Sequence, residues 1–244
     1  MTIPSCDRLD VFERYRVSIV DDIVAGKGVE ICFVLRDESM RDRTVRAFLR
    51  AQIDHAEALI ALGKHADTQL IARSMLEGAA LLRYLLSGED RCQKWYDFMT
   101  VSALAMREFA PPEGVGTDDV LEDAVRERAL DFRRGPKVAT AGVGRPFARS
   151  DFEWNWTTEK ITKLIKTPPA GASPEDLEIH ETIGAMYSSF SEWHHWQIAG
   201  LWSHFNDEKW QTPEDVPAAT AAVNAAGYSL RVVLNVARSK NYPA

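Results

Sequence analysis

Cysteine is scarce. Cys6, Cys32 and Cys92 are the only three in 244 residues, and no two form a C-x-x-C pair. An odd number of widely spaced thiols argues against a disulfide framework or a cysteine zinc site and fits a reducing compartment. Long apolar runs are missing too, since no stretch reaches the roughly 18 apolar residues of a membrane span. The start, from Met1 to Arg8, lacks the basic-then-apolar pattern of a secretory leader. A cytoplasmic location is the expectation. Positive charge is also short: a net charge of -7 argues against general nucleic-acid binding, which needs a basic footprint. No alternating apolar–polar run is long enough to build a sheet, and there is no internal repeat or low-complexity tract.

What is present is enough apolar material for a sizeable core. At 45% apolar and 27% charged, the chain needs no metal or disulfide merely to fold. The periodicity is helical nearly throughout. Leu9, Phe12, Tyr15, Ile19 and Ile23 mark a first helix over 7–25, which Gly26-Lys-Gly28 should interrupt. Val29 to Leu35 reads as helix. Asp37 or Ser39 can cap the next helix, which runs to Leu62 with Val45, Phe48, Leu49, Ala56, Leu59 and Ile60 inward and Gly63 at its end.

The span from Asp67 to Leu86 is the most strongly patterned helix, with Leu70, Ile71, Leu76, Ala79, Ala80, Leu82, Leu85 and Leu86 apolar. A further amphipathic helix covers 89–109, and Pro111-Pro112 breaks it. A charged helix follows over 118–133, then an irregular basic loop over 134–156. A short helix over 157–166 carries Lys160, Lys163 and Lys166. Ser173-Pro174 launches a long helix to about residue 199. An alanine-rich helix over 217–238 closes the chain, with Val223, Leu230, Val233 and Leu234 as core. The fold expected is all-α, an irregular multi-helix bundle of about six to eight helices. It is read as one domain over 1–244, with residues 1–36 as a helical extension.

Two helices carry the chemistry. Arg73 and Glu77 are an i, i+4 pair inside an otherwise apolar helix. Facing the core, they must satisfy each other or a partner from another helix, because an unpaired buried charge is very costly. On the helix from 174, Tyr187, Ser191 and His195 recur every four residues and share one stripe. Two packed helices bring such faces together at about 8–10 Å between axes. Glu77 would then orient His195, and His195 would act as base towards Ser191 or a water. Arg73 would hold an anionic group, with Tyr187 beside it. The plainer reading of the same residues is a buried hydrogen-bond network that fixes helix register.

With R-S-M-L-E over 73–77 and Y-x3-S-x3-H over 187–195, the chain resembles a bacterial family of all-helical proteins known only as a domain of unknown function. That family carries an R-S-x-x-E helix in its first half and a Y-x3-S-x3-H helix in its second. The likeness covers roughly residues 40 to 200, apart from the basic loop. It implies the all-α fold and brings no established activity.

Three rival functions remain open at this level. Arg50-Ala-Gln-Ile-Asp-His55 fits the Arg-x4-6-His spacing of HEPN-like metal-independent ribonucleases, with Arg43 and Arg46 adding charge; a solvated helix face is the plainer reading, since two residues at so loose a spacing occur often by chance. Glu192-Trp-His-His195 is half of a carboxylate-bridged metal motif, to which His55, Glu57, Glu77 or His180 would have to add ligands. Such sites want a second Glu-x-x-His, and none is present, so no metal and no cofactor is expected. The third rival is a non-catalytic interaction module. The aromatics Trp193, Trp196, Trp202, Phe205 and Trp210 would wall a ligand pocket or fill the core. The partner expected is a small molecule or a protein, with nucleic acid only under the ribonuclease reading. A membrane is not expected, and a homodimer is allowed.

Overall fold

The first helix recurs on itself every seven residues: Phe12, Ile19 and Phe33 are buried, and Gly26 completes the series. The computed structural model describes residues 5–34, 39–98, 157, 159–168, 173–194 and 216–239, with backbone only at 5–10, 34, 175–176 and 192–194. In it α1 is one continuous helix, Ser5–Val34. The interruption expected at Gly26-Lys-Gly28 does not occur. Gly26 packs closely against α2 (Met40–Leu62). A Cβ there would sit 3.1 Å from Ile53 Cδ1, tighter than ordinary packing. The glycine serves contact between helices, and its cost in helix propensity is offset by that packing. The segment expected as an extension is thus a wall of the bundle.

Helix α2 begins as its sequence asks. The Ser39 hydroxyl accepts from the Asp42 backbone N–H at 3.2 Å, and the Asp42 carboxylate accepts from the Ser39 N–H at 3.2 Å. This reciprocal box satisfies two N–H groups that the helix start leaves open. The far end stops at Gly63, whose φ of 61° only glycine adopts at little cost. Its N–H closes onto the Leu59 and Ile60 carbonyls.

Helix α3 (Thr68–Leu86) buries Ala72, Met75, Leu76, Ala79, Leu82, Leu85 and Leu86. Residues 91–98 form α4, with Cys92 and Phe98 buried. Short α5 (Ile161–Lys166) is followed by α6 (Pro174–His194) and α7 (Val216–Arg238). Among the described residues there are seven helices and no strand, so the fold is all-α. None of these helices is long and apolar enough to cross a membrane.

The chain divides into two compact units. One comprises Met1–Leu86 with Lys160–Ala244, and the other Ser87–Glu159. In the first, α7 packs against α1, α2 and α3 and is the hub of a four-helix core. Small residues allow this. Ala219, Ala222, Ala225, Ala226, Gly227 and Ser229 are buried along α7 and let three neighbours close in, while Val223, Leu230, Val233 and Leu234 fill the space between. Each fully buried Leu or Val contributes about 1.5–3 kcal/mol relative to exposure. Helices α5 and α6 pack on α3, so α3 carries the core on one side and α6 on another. Of the second unit, α4 and residues 87–90, 157 and 159 are described. The helix expected at 118–133, the basic loop at 134–156 and Met99 and Leu104 lie outside the described residues.

Candidate functional site

Where α6 crosses α3, the two motif helices meet. Glu77 projects from α3 and is bound from both helices through one oxygen. Arg73 Nε donates to Glu77 Oε1 at 3.0 Å, and the Tyr187 hydroxyl donates to the same oxygen at 2.9 Å. The i, i+4 spacing on α3 therefore makes an ion pair, and α6 supplies the partner from another helix. The guanidinium also lies over the Tyr187 ring, 5.5 Å from its centroid, within cation–π range. Arg73 is 16% exposed and Glu77 32%, measured on their side chains, while Tyr187 is 4% exposed. The cluster is enclosed at the tyrosine and opens towards the carboxylate.

The electrostatics follow from this placement. Burial pushes the Tyr187 phenol above its ordinary value, and the charge and hydrogen bond of Glu77 push the same way; Arg73 opposes them. The phenol stays protonated and donating at neutral pH. One polar atom has no use within the cluster. Arg73 Nη1 is buried and has no hydrogen-bond partner among the described residues.

Ser191 does not face this cluster with a free proton. Its Oγ donates to the Tyr187 carbonyl at 2.8 Å, the backward bond of a hydroxyl residue inside a helix. His195 and the side chains of Glu192, Trp193 and His194 lie outside the described residues, as do Trp196, Trp202, Phe205 and Trp210. Of the five residues singled out on the two motifs, the structure brings together Arg73, Glu77 and Tyr187. It turns Ser191 back on its own helix.

The rival groupings are more scattered. Arg50 is exposed and lies 3.6 Å from Glu30 of α1, and His55 is exposed five residues on. Five residues on a helix span about 140° around the axis, so the two point to different sides. The metal-ligand candidates have separate engagements. Glu57 binds Lys27, His180 binds a backbone carbonyl, and Glu77 is held as described. Among the described residues no group of three or more His, Cys, Asp or Glu side chains converges. Of the thiols, Cys32 is exposed and Cys92 buried, and neither is in a disulfide.

Sequence reasoning passed over a second polar feature. A cavity of about 350 Å3 lies on another flank of α6, beside the end of α5, and Lys166, His180, Glu181 and Ser188 are among its lining residues. The spacing of 177, 181, 184 and 188 was the available signal, since these residues share one helical stripe. Comparisons with protein-family models, with curated proteins and with solved structures find no match to this chain. Its two motifs therefore stand on their geometry.

Proposed function

We propose that the protein is a ligand-binding helical bundle whose polar site lies where α3 and α6 meet, with Arg73 holding an anionic group of the ligand. One observation carries this reading: Arg73 Nη1 is buried without an acceptor while Nε of the same guanidinium is committed to Glu77. A buried donor left unpaired costs about 1–3 kcal/mol, more on a charged group. Such exceptions call for an explanation beyond packing, and a ligand oxygen supplies one once the side chains that cover Nη1 give way, since the atom itself has no open surface. The planar guanidinium matches carboxylate and phosphate, which accept two parallel N–H bonds. The Tyr187 ring packs against the guanidinium, and Glu77 holds the guanidinium plane in place.

Binding is preferred to hydrolysis on the same grounds. A hydrolytic centre needs a free base and a nucleophile or water within its reach. Among the described residues Glu77 Oε1 already accepts two hydrogen bonds and the Ser191 proton is given to a backbone carbonyl, while the expected base, His195, lies outside them. A cytoplasmic location and kinship with the R-S-x-x-E and Y-x3-S-x3-H proteins form part of the same proposal.

The test is a thermal-shift screen of the full chain against acetate, pyruvate, citrate, inorganic phosphate and a nucleoside monophosphate. At about 100 times its Kd, a ligand stabilises the folded state by about 2.7 kcal/mol. At least one anion should raise the Tm of the wild type and leave that of Arg73→Gln unmoved. An absence of shift with every anion, or equal shifts in both proteins, contradicts the reading.

A further inference from the structure

The groove between α5 and α6 is a feature separate from the Arg73 cluster. Gly184 is among its lining residues. The stem of Lys166 lies over this glycine, its Cγ 3.6 Å from where a Cβ would be. Glu181 stands one turn before Gly184 on α6, and Ser188 one turn after, on the same stripe. Neither Lys166 nor Glu181 forms an ion pair or hydrogen bond among the described residues, so an unpaired cation and an unpaired anion line one groove.

Two further polar side chains line it. His180 Nε2 lies 2.7 Å from the Thr167 carbonyl, which only accepts, so Nε2 donates to it. Ser188 gives its proton to the Gly184 carbonyl at 3.0 Å, which leaves its oxygen to accept. The wall therefore sets one cationic donor, Lys166, against a carboxylate and a hydroxyl oxygen. Leu177 and Pro168 add apolar surface, and Leu177 is 47% exposed. Thr167 is itself pinned, because its carbonyl also accepts from Arg83 of α3 at 3.3 Å.

We propose that this groove binds a small zwitterion, an α-amino acid with an apolar side chain, its carboxylate on Lys166 and its ammonium between Glu181 and Ser188. A carboxylate alone would face Glu181, and an amine alone would face Lys166. Only a molecule carrying both groups matches both walls. The cavity of about 350 Å3 holds a ligand of that size, near the lower end of the usual range for small-molecule sites. The proposal does not use Arg73, Glu77 or Tyr187, so it stands or falls apart from the reading above.

Calorimetric titration of the full chain tests it. The probes are L-leucine, L-valine and L-methionine, with 4-methylpentanoate and 3-methylbutylamine as the carboxylate-only and amine-only analogues of leucine. The variants are Lys166→Gln and Glu181→Gln; both side chains are exposed, so the bundle tolerates the changes. At least one amino acid should bind saturably at one site. Each variant should weaken it about tenfold or more, the scale of a charge-assisted contact, and both single-charge analogues of leucine should bind more weakly than leucine. No saturable binding of any of the three amino acids overturns the proposal. So does an affinity unchanged in either variant, or an analogue that binds as well as leucine.

Discussion

Tyr187 is the residue on which α6 is tied to α3. It is buried, it donates to Glu77 across the helix interface, and its ring meets the Arg73 guanidinium. Tyr187→Phe keeps the ring and removes the hydrogen bond to a charged acceptor. Urea denaturation should show a loss of about 1.5–3 kcal/mol. The pH dependence has a defined sign. A phenol whose folded pKa is raised contributes stability that is full below its unfolded value, 10.0, and is lost as pH rises through the folded value. Wild-type Tm should therefore fall more steeply than that of Tyr187→Phe above pH 10.0, so that the two proteins converge. Parallel curves up to pH 11 would mean that Glu77 and burial do not act on this phenol. The tyrosine–glutamate pairing was legible only in part. Four-residue spacing placed Tyr187 and Ser191 on one stripe, but the hydroxyl of Ser191 is free to bond within its helix, and spacing cannot show that choice.

Among elements, the seam between α2 and α3 holds a buried polar contact that apolar periodicity does not reveal. Gln52 is buried, and its Nε2 donates to the Met75 carbonyl at 2.8 Å. Gly78 makes room for it, since a Cβ there would lie 2.8 Å from that nitrogen. Gly78→Ala alone should destabilise by about 1 kcal/mol, because a buried amide is displaced from its acceptor. In a Gln52→Ala background the same change should stabilise by about 0.5–1 kcal/mol, the helix preference of alanine over glycine. A double-mutant cycle by chemical denaturation reads the coupling, and simple additivity would contradict the packing described.

Helix existence was legible in the sequence because apolar spacing is local. The start of α2 at Ser39 and its end at Gly63 were legible too, since caps are local chemistry. Gly26 was misread as a break for the opposite reason. Its role is a contact with Ile53, and nothing near it in sequence records that. Likewise Phe48 and Ile60 were expected inward and are half-buried, while Gln52 and Ile53 take the core positions.

On the scale of the whole molecule, α7 holds the first unit together, because α1, α2 and α3 all pack on it. Leu230 sits fully buried in that hub. Leu230→Ala should cost about 2–5 kcal/mol, with the spread set by how far the cavity collapses. An exposed position such as Val24→Ala, by comparison, should stay within about 0.5 kcal/mol. Equal losses at the two sites would contradict the central place of α7. The hub was legible as an alanine-rich helix with four large apolar residues. Its centrality was not, since the number of neighbours a helix has is a property of the assembled bundle.

The central claim is that Arg73 is an anion-holding group whose charge is shared with Glu77. Calorimetric titration of the best anion from the thermal screen into wild type, Arg73→Gln and Glu77→Gln tests it through two effects of opposite sign. Arg73→Gln should lose binding by about tenfold or more, because a charge-assisted contact is removed. Glu77→Gln should tighten binding, because the guanidinium loses its competing carboxylate and keeps a partner for Nε and for the Tyr187 hydroxyl. Weaker binding in Glu77→Gln, or unchanged binding in Arg73→Gln, would show that the anion is held elsewhere and that the three residues serve only to lock α6 to α3.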